Sequence, residues 1–255
     1  MAFEFELSDE QQQVKQAARA FAEKEIRPHV MEWDEAQHFP VELLPKLADL
    51  GLMGISFPEQ YGGAAMSAVD YCICIEELAR VDPAVALSVA AHNGLGAAHI
   101  SLFGSEAQRQ KYLGPLANGE TLAAWGLTEP NSGSDAAAMR TTAVKDGDGW
   151  VLNGAKIFIS NADRAQYGIV FARTDASKGR AGITCFIVDS DTPGFHVRRV
   201  VHTLRSSHYA TELEFKDCWV SDHQVLGEVN KGFAVANDRL TRQRIPYAAG
   251  CIGVA

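Results

Sequence analysis

The stretch WVLNGAKIFI, from Trp150 to Ile159, decides the fold class of this 255-residue chain. It places the pair Asn153-Gly154 between two apolar runs, a pattern that is typical of a β-hairpin. Further apolar runs, separated at short intervals by Gly, Asp and Ser, predict strands over residues 167–172, 183–188, 195–200 and 211–215. Short strands at such close spacing predict a small β-barrel or sandwich.

Helical patterns flank this β region on both sides. Before Gly119, Ser8 and Gln11 predict a capping box, and apolar residues then recur at helical spacing. From Gly232 the helical period returns and continues to Ala255 without a signal for a helix end, so we expect the chain to be C-terminally incomplete. The predicted fold class is α+β multidomain, with an N-terminal all-α helical domain (5–120), a middle β-barrel-like domain (121–228) and the start of a truncated C-terminal helical bundle (229–255).

Composition narrows the classes of function. Apolar residues make up 47% of the chain and charged residues 22%, as in soluble globular proteins. A net charge of −9 argues against nucleic-acid binding, because neutralising phosphates needs a basic surface. We see no secretory signal and no apolar run of membrane-spanning length, and the five cysteines suit a reducing compartment, so we expect a cytoplasmic protein. The lone pair Cys72 and Cys74 and the scattered histidines predict no metal site.

Several motifs follow one another along the chain. They are FPEQYGG (57–63), HNGLG (92–96), LTEPNSGSD (127–135), NGAKIFISNA (153–162), and the series LRxS, TELxFxD and VLG between Leu204 and Gly227. The third resembles the T-E-P-x-x-G-S-D signature of the acyl-CoA dehydrogenase family, and the fourth resembles that family's N-G-x-K-x-[WF]-I-[ST]-N signature. Each motif alone is moderate evidence, but their common order extends the resemblance over nearly the whole chain.

This resemblance implies FAD as the cofactor and assigns residues of the first signature to it. Trp125, Leu127 and Thr128 are implied to line the isoalloxazine ring, with Thr128 hydrogen-bonded to its polar edge. Gly133 is implied to let the backbone approach the pyrophosphate, and Ser134 to offer it an amide and a hydroxyl. Read without the resemblance, the same segment is an ordinary Asn-Ser-Gly-Ser turn.

The second signature is implied to bind FAD through Phe158, Ile159 and Ser160. Phe158 occupies the place of an aromatic that packs against the flavin, and Ser160 that of a hydroxyl that reaches flavin N5. Side chains two positions apart in a strand point to one face, so we expect Phe158 and Ser160 to face the cofactor together. The alternative for Phe158 is an aromatic of the barrel core.

The acyl-CoA substrate is implied to contact Ser134 and Arg244, although Arg244 also fits a solvated helix residue. In the family a glutamate takes the α-proton of the thioester while the β-hydrogen leaves as hydride to flavin N5. Most members carry this glutamate late in the C-terminal domain, which places it beyond Ala255. A minority carry it directly before the arginine, where this chain has Gln243. A neutral amide cannot take the proton, so the catalytic residue is unknown and we expect the 255-residue chain alone to be inactive.

The implied function is FAD-dependent α,β-dehydrogenation of an acyl-CoA thioester to the 2,3-enoyl-CoA in fatty acid metabolism. Electrons are implied to pass to an electron-transfer flavoprotein, and the full-length protein to form a homodimer or homotetramer. One alternative is an acyl-CoA oxidase-like flavoenzyme, which oxygen consumption with peroxide release would reveal. Another is a catalytically silent flavin or acyl-CoA binding fragment, which would hold yellow flavin without turnover.

Overall fold

The first part of the chain is helical in the computed structural model, which describes residues 6–201 and 210–255. Its α-helices are α1 (Asp9–Phe21), α2 (Val30–Ala36), α3 (Leu43–Asp49), α4 (Ala68–Ala79), α5 (Pro83–Ala90), α6 (Ala98–Phe103) and α7 (Glu106–Ala117). A π-helical segment, Ala91–Ala97, joins α5 to α6, so residues 83–103 run as one helical rod. The predicted N-terminal helical region is therefore confirmed.

Serine caps define where several of these helices begin. The predicted capping box at Ser8 and Gln11 is confirmed, since the Ser8 hydroxyl accepts from the Gln11 amide and the Gln11 side chain accepts from the Ser8 amide. Ser67 and Ser105 form equivalent boxes at α4 and α7. Each box satisfies two backbone N–H groups that a helix start would otherwise leave without partners.

The middle of the chain forms one sheet. Its strands in the described residues are β1 (Ala123–Gly126), β2 (Thr142–Asp146), β3 (Gly149–Ser160), β4 (Tyr167–Arg173), β5 (Ile183–Asp189), β6 (Phe195–Val201) and β7 (Ala210–Ser221). They follow the order β1-β4-β2-β3-β7-β6, with β5 paired to β4. The predicted strands and the helix–sheet–helix order are confirmed, whereas the LRxS motif at 204–207 lies outside the described residues.

The predicted hairpin at Asn153-Gly154 is wrong. These residues lie inside the continuous strand β3, at a register shift against β7 between Leu152 and Gly154. The turn lies earlier, where Asp146 pairs with Gly149 across Gly147-Asp148. Gly154 is needed for a different reason: its φ is +150°, and a Cβ there would lie 2.5 Å from Thr141 Oγ1. A close approach of two strands therefore explains the glycine.

The last helix, α8 (Gly232–Val254), packs back onto the helical part and the sheet. Glycines permit this packing at both ends. A Cβ on Gly232 would lie 2.5 Å from the Thr184 carbonyl carbon in β5, and one on Gly253 would lie 2.2 Å from the Glu76 carbonyl oxygen in α4. Among the described residues, no helix combines the length and apolar character that crossing a membrane requires.

Candidate active site

The two signature segments run side by side where β1 ends. The segment after β1 contributes Leu127 and Thr128, and β3 contributes Lys156 and Ile157. The Ile157 amide donates to the Thr128 carbonyl at 2.9 Å, and Lys156 Nζ donates to the Leu127 carbonyl at 3.1 Å. Two segments that are distant in the sequence are thus joined by hydrogen bonds.

A buried ion pair fixes this contact. Lys156 Nζ lies 2.8 Å from Glu129 Oε1, and the two side chains are 0% and 5% exposed. The Glu129 carboxylate also accepts from the backbone amides of Arg140 at 2.6 Å and Thr141 at 3.0 Å. A buried carboxylate with three donors has its hydrogen-bonding capacity well satisfied, which a buried charge requires.

Both members of the pair are charged near neutral pH. Burial lowers the pKa of Lys156 to about 8, against the opposing pull of the Glu129 carboxylate. Burial acts to raise the pKa of Glu129, but the Lys156 cation and the hydrogen bonds outweigh it and hold that pKa below its usual range. No sequence motif assigns a role to this pair. A lysine between apolar residues of a strand was the available signal, because a buried lysine needs a partner.

Phe158 stands out from the sheet. Phe158 is 59% exposed, although the neighbouring Ile159 is only 2% exposed. Phe158 has a φ of +60°, and the register of β3 against β7 shifts between Lys156 and Ile159. This is a β-bulge, so simple alternation along a regular strand does not explain how Phe158 and Ser160 are placed. The alternative position for Phe158, in the barrel core, is excluded by its exposure, and Ser160 is half-buried.

The residues in and just before the first signature divide into half-buried and buried groups. Trp125 and Thr128 are half-buried, so each presents part of its side chain outward. Leu127 is 4% exposed and packs in one hydrophobic core cluster. Ile159, from the second signature, is also buried and packs in a different core cluster. Leu127 and Ile159 can therefore meet a ligand through their backbone rather than through their side chains.

Gly133 and Ser134 lie in an exposed turn. Glu129 and Ser132 exchange backbone hydrogen bonds of 2.9 and 3.1 Å at its base, and Ser132 Oγ donates to the Asp135 carbonyl at 2.7 Å. A Cβ on Gly133 would meet no atom within 4 Å. The described residues therefore give no packing reason for glycine there, and the turn is open to solvent.

Gln243 and its neighbour Arg244 point to different environments on α8. Gln243 is 2% exposed, and its amide nitrogen donates to Tyr71 Oη at 2.7 Å and to the Ala90 carbonyl at 3.2 Å. A Cβ on Gly94 would lie 1.9 Å from the Gln243 side chain, so the glycine makes room for it. Arg244 is exposed. Gln243 thus packs α8 against the helical rod and offers no basic group.

Two family descriptions match the chain in succession. Residues 8–120 match "Acyl-CoA dehydrogenase, N-terminal domain", and residues 124–218 match "Acyl-CoA dehydrogenase, middle domain". The short-chain specific acyl-CoA dehydrogenase of Clostridium acetobutylicum is 43% identical over 99% of this chain and 67% of its own length. The chain belongs to the acyl-CoA dehydrogenase family.

Solved structures agree with this membership. Butyryl-CoA dehydrogenase from Megasphaera elsdenii superposes with a TM-score of 0.94 and 41% identity, over 98% of this chain and 67% of that one. A chain in the structure of the electron transferring flavoprotein of Acidaminococcus fermentans superposes with a TM-score of 0.95 and 41% identity, over 98% of this chain and 66% of that one. Glutaryl-CoA dehydrogenase from Mycobacterium smegmatis in complex with FADH2 superposes with a TM-score of 0.90 and 31% identity, over 97% of this chain and 62% of that one. The chain therefore spans about two thirds of the length of its relatives.

Proposed function

We propose that this chain forms the N-terminal and middle parts of a FAD-dependent acyl-CoA dehydrogenase. The reaction is the oxidation of an acyl-CoA thioester to the 2,3-enoyl-CoA, with electrons passed on to an electron-transfer flavoprotein. One observation carries the proposal: the Glu129–Lys156 pair locks two signature segments together while the bulge presents the Phe158 ring outward. Relatives named for short-chain substrates and butyryl-CoA support a small acyl group.

The residues present fit a flavin. An isoalloxazine ring needs an apolar shelf, hydrogen bonds at its polar edge and donors for the pyrophosphate. The exposed Phe158 ring and the half-buried Trp125 provide apolar surface, and the half-buried Thr128 and Ser160 provide hydroxyls. An exposed aromatic on a strained bulge is costly without a partner, since a positive φ is unfavourable for a bulky residue. Packing of a bound flavin ring against Phe158 would offset this cost.

Each residue then has a task. When bound, FAD supplies the acceptor for the hydride that leaves the β-carbon. Thr128 and Ser160 orient the ring through hydrogen bonds, and the open turn at Gly133 and Ser134 offers donors to phosphate oxygens. Ser134 and Arg244 bind the CoA part of the substrate, where the exposed guanidinium suits an anionic group. The base is not at position 243, because the Gln243 amide is neutral and already donates to Tyr71 and Ala90.

We extend the proposal to organisation and location. The parts are a helical domain over 5–120, a β domain over 121–228 and a helical segment over 229–255. The protein assembles as a homodimer or homotetramer, as implied by the family resemblance. A cytoplasmic location is supported by the five cysteines, all within the described ranges and all free thiols.

Turnover assays test this function. The complete gene product, purified and loaded with FAD, should oxidise butyryl-CoA with an electron-transfer flavoprotein or an artificial acceptor, and longer acyl-CoAs serve as competitors for specificity. Rapid dioxygen consumption with peroxide release would identify an oxidase instead. Tight FAD binding without reduction by any acyl-CoA would identify a silent binding protein, and absence of FAD binding would reject the proposal altogether.

A further inference from the structure

A fully buried imidazole lies behind the half-buried indole of Trp125. His99, on α6, is 0% exposed, and Trp125 Nε1 lies 3.3 Å from His99 Nε2. The two ring centroids are 6.0 Å apart. Phe171 meets His99 at 5.8 Å and Trp125 at 5.7 Å, both edge-on. The indole is therefore held by one hydrogen bond and by an aromatic wall on the side away from solvent.

The hydrogen bond fixes the protonation state of the imidazole. An indole N–H only donates, so His99 Nε2 must accept and cannot carry a proton. The ring is therefore neutral, with its proton on Nδ1. This nitrogen faces the Leu95 carbonyl one helical turn earlier, without well-formed hydrogen-bond geometry to any described residue. Burial lowers the pKa of His99 to about 3, which is consistent with a neutral ring at pH 7.

We propose that His99 is a positioning residue: it holds the Trp125 indole at the angle at which that ring lines the flavin. The inference rests on the proposed function, since it gives the indole a cofactor to meet. Trp125 is a large, half-buried side chain, so its orientation sets the shape of the apolar surface that it presents outward. Without the acceptor, the indole N–H would be buried and unsatisfied, and the ring would turn to find a partner.

Two substitutions at the same position separate hydrogen bonding from core filling. His99→Gln keeps an acceptor near the position of Nε2, whereas His99→Phe keeps the aromatic packing but removes the acceptor. Ile100→Val is the matched control, because Ile100 is a buried α6 neighbour without a polar group. The first readout is the indole N–H resonance of Trp125 in protein labelled with ¹⁵N-tryptophan, assigned through Trp125→Phe.

We expect the Trp125 indole resonance to move and to exchange faster with solvent in His99→Phe, and to stay in place in His99→Gln and Ile100→Val. The second readout is FAD affinity, measured by titration of the apoprotein. Loss of one hydrogen bond should weaken binding about three- to tenfold in His99→Phe, with His99→Gln close to the parent. The visible absorbance of the bound flavin should shift in His99→Phe alone.

The outcomes that overturn the inference are distinct from a failure of the proposed function. An unchanged indole resonance in His99→Phe would show that the hydrogen bond is not formed and would overturn the proposal. A moved resonance with unchanged FAD affinity and absorbance would overturn the link from Trp125 to the flavin, while FAD binding by the parent would still stand. A parent protein that binds no FAD would overturn the proposed function itself and the role of His99 with it.

Discussion

At the scale of single residues, the Lys156 cation stabilises the site from inside the protein. We expect Lys156→Met to destabilise the fold by about 3–5 kcal/mol, because it leaves the Glu129 carboxylate buried without its counter-charge. Urea unfolding followed by circular dichroism measures this loss. The double variant Lys156→Met with Glu129→Gln should recover part of it, since no unpaired charge is left in the interior.

A surface lysine provides the control for this substitution. Lys145 contacts Asp222 at 2.6 Å, but its side chain is 46% exposed and that of Asp222 48% exposed. We expect Lys145→Met to cost under about 1 kcal/mol, because water screens exposed pairs. Equal losses at positions 145 and 156 would contradict a stabilising role for the buried pair.

The Ser160 hydroxyl is expected to act on the reaction more than on binding. In the FAD-loaded protein, Ser160→Ala should slow flavin reduction by acyl-CoA about three- to tenfold, because one hydrogen bond to the ring is lost. Substrate affinity should change less. Stopped-flow measurement of flavin reduction gives both quantities, with Thr142→Ala on neighbouring β2 as the control. Equal reduction rates in Ser160→Ala and the parent would remove Ser160 from the site.

The sequence identifies the two motifs, but it does not identify the tertiary partners of the residues in them. The two signatures could be recognised as strings, and Thr128, Phe158 and Ser160 follow from them. The pairing of Lys156 with Glu129 depends on how β3 lies against the segment after β1, which no local pattern encodes. His99 was equally hidden, because a lone histidine in an apolar helix gives no signal of the indole that it meets.

At the scale of elements, the local turn signal at Asn153-Gly154 gave a wrong prediction, because tertiary packing determines the path of β3 there. Asn153-Gly154 has the sequence of a hairpin turn, yet β3 continues through it because Gly154 is required for the close approach of Thr141. The true turn at Gly147-Asp148 carries an equally good signal, with Gly147 at a φ of +57°. The bulge at Phe158 could not be predicted, since it depends on the register between β3 and β7.

The contact between α8 and the helical rod depends on a glycine. We expect Gly94→Ala to destabilise the protein by about 1–3 kcal/mol, because the added methyl would overlap the buried Gln243 side chain. Gln243→Ala in the same protein should relieve the overlap. A double-mutant cycle from urea unfolding should therefore show the two changes to be coupled by more than about 0.5 kcal/mol.

Another buried glycine tests whether the effect is specific. A Cβ on Gly168 in β4 would have its nearest neighbour at 3.8 Å, an ordinary van der Waals distance. We expect Gly168→Ala to change stability by less than about 1 kcal/mol and to be insensitive to Gln243→Ala. Strict additivity of Gly94→Ala and Gln243→Ala would contradict the packing of α8 described above.

At the scale of the whole molecule, we expect two buried histidines, His92 and His99, to make the stability of the fold depend on pH. His92 joins the helical part to the sheet, since its Nδ1 accepts from the Ala123 amide at 3.2 Å and its Nε2 donates to the Met53 carbonyl at 2.9 Å. Burial lowers the pKa of His92 to about 4 and that of His99 to about 3, from an ordinary 6.5. Both rings are therefore neutral in the folded state.

The sign of the pH effect follows from these shifts. Between pH 6.5 and about 4 the unfolded chain binds protons at these histidines and the folded chain does not, so stability is fully present above pH 6.5 and falls on acidification. Each histidine should remove about 2 kcal/mol between pH 7 and pH 5. Urea unfolding at both values measures the total, and His92→Gln should lose about 2 kcal/mol less than the parent. An equal loss in His92→Gln and the parent would contradict a neutral, buried His92.

We expect the two signature segments, held together by Glu129 and Lys156, to form the apolar shelf for a flavin. A structure of the complete gene product with bound FAD tests it most directly. We predict that the isoalloxazine ring lies against Phe158 and Trp125, with the Thr128 and Ser160 hydroxyls at its polar edge. A flavin bound elsewhere, with Phe158 still facing solvent, would contradict it.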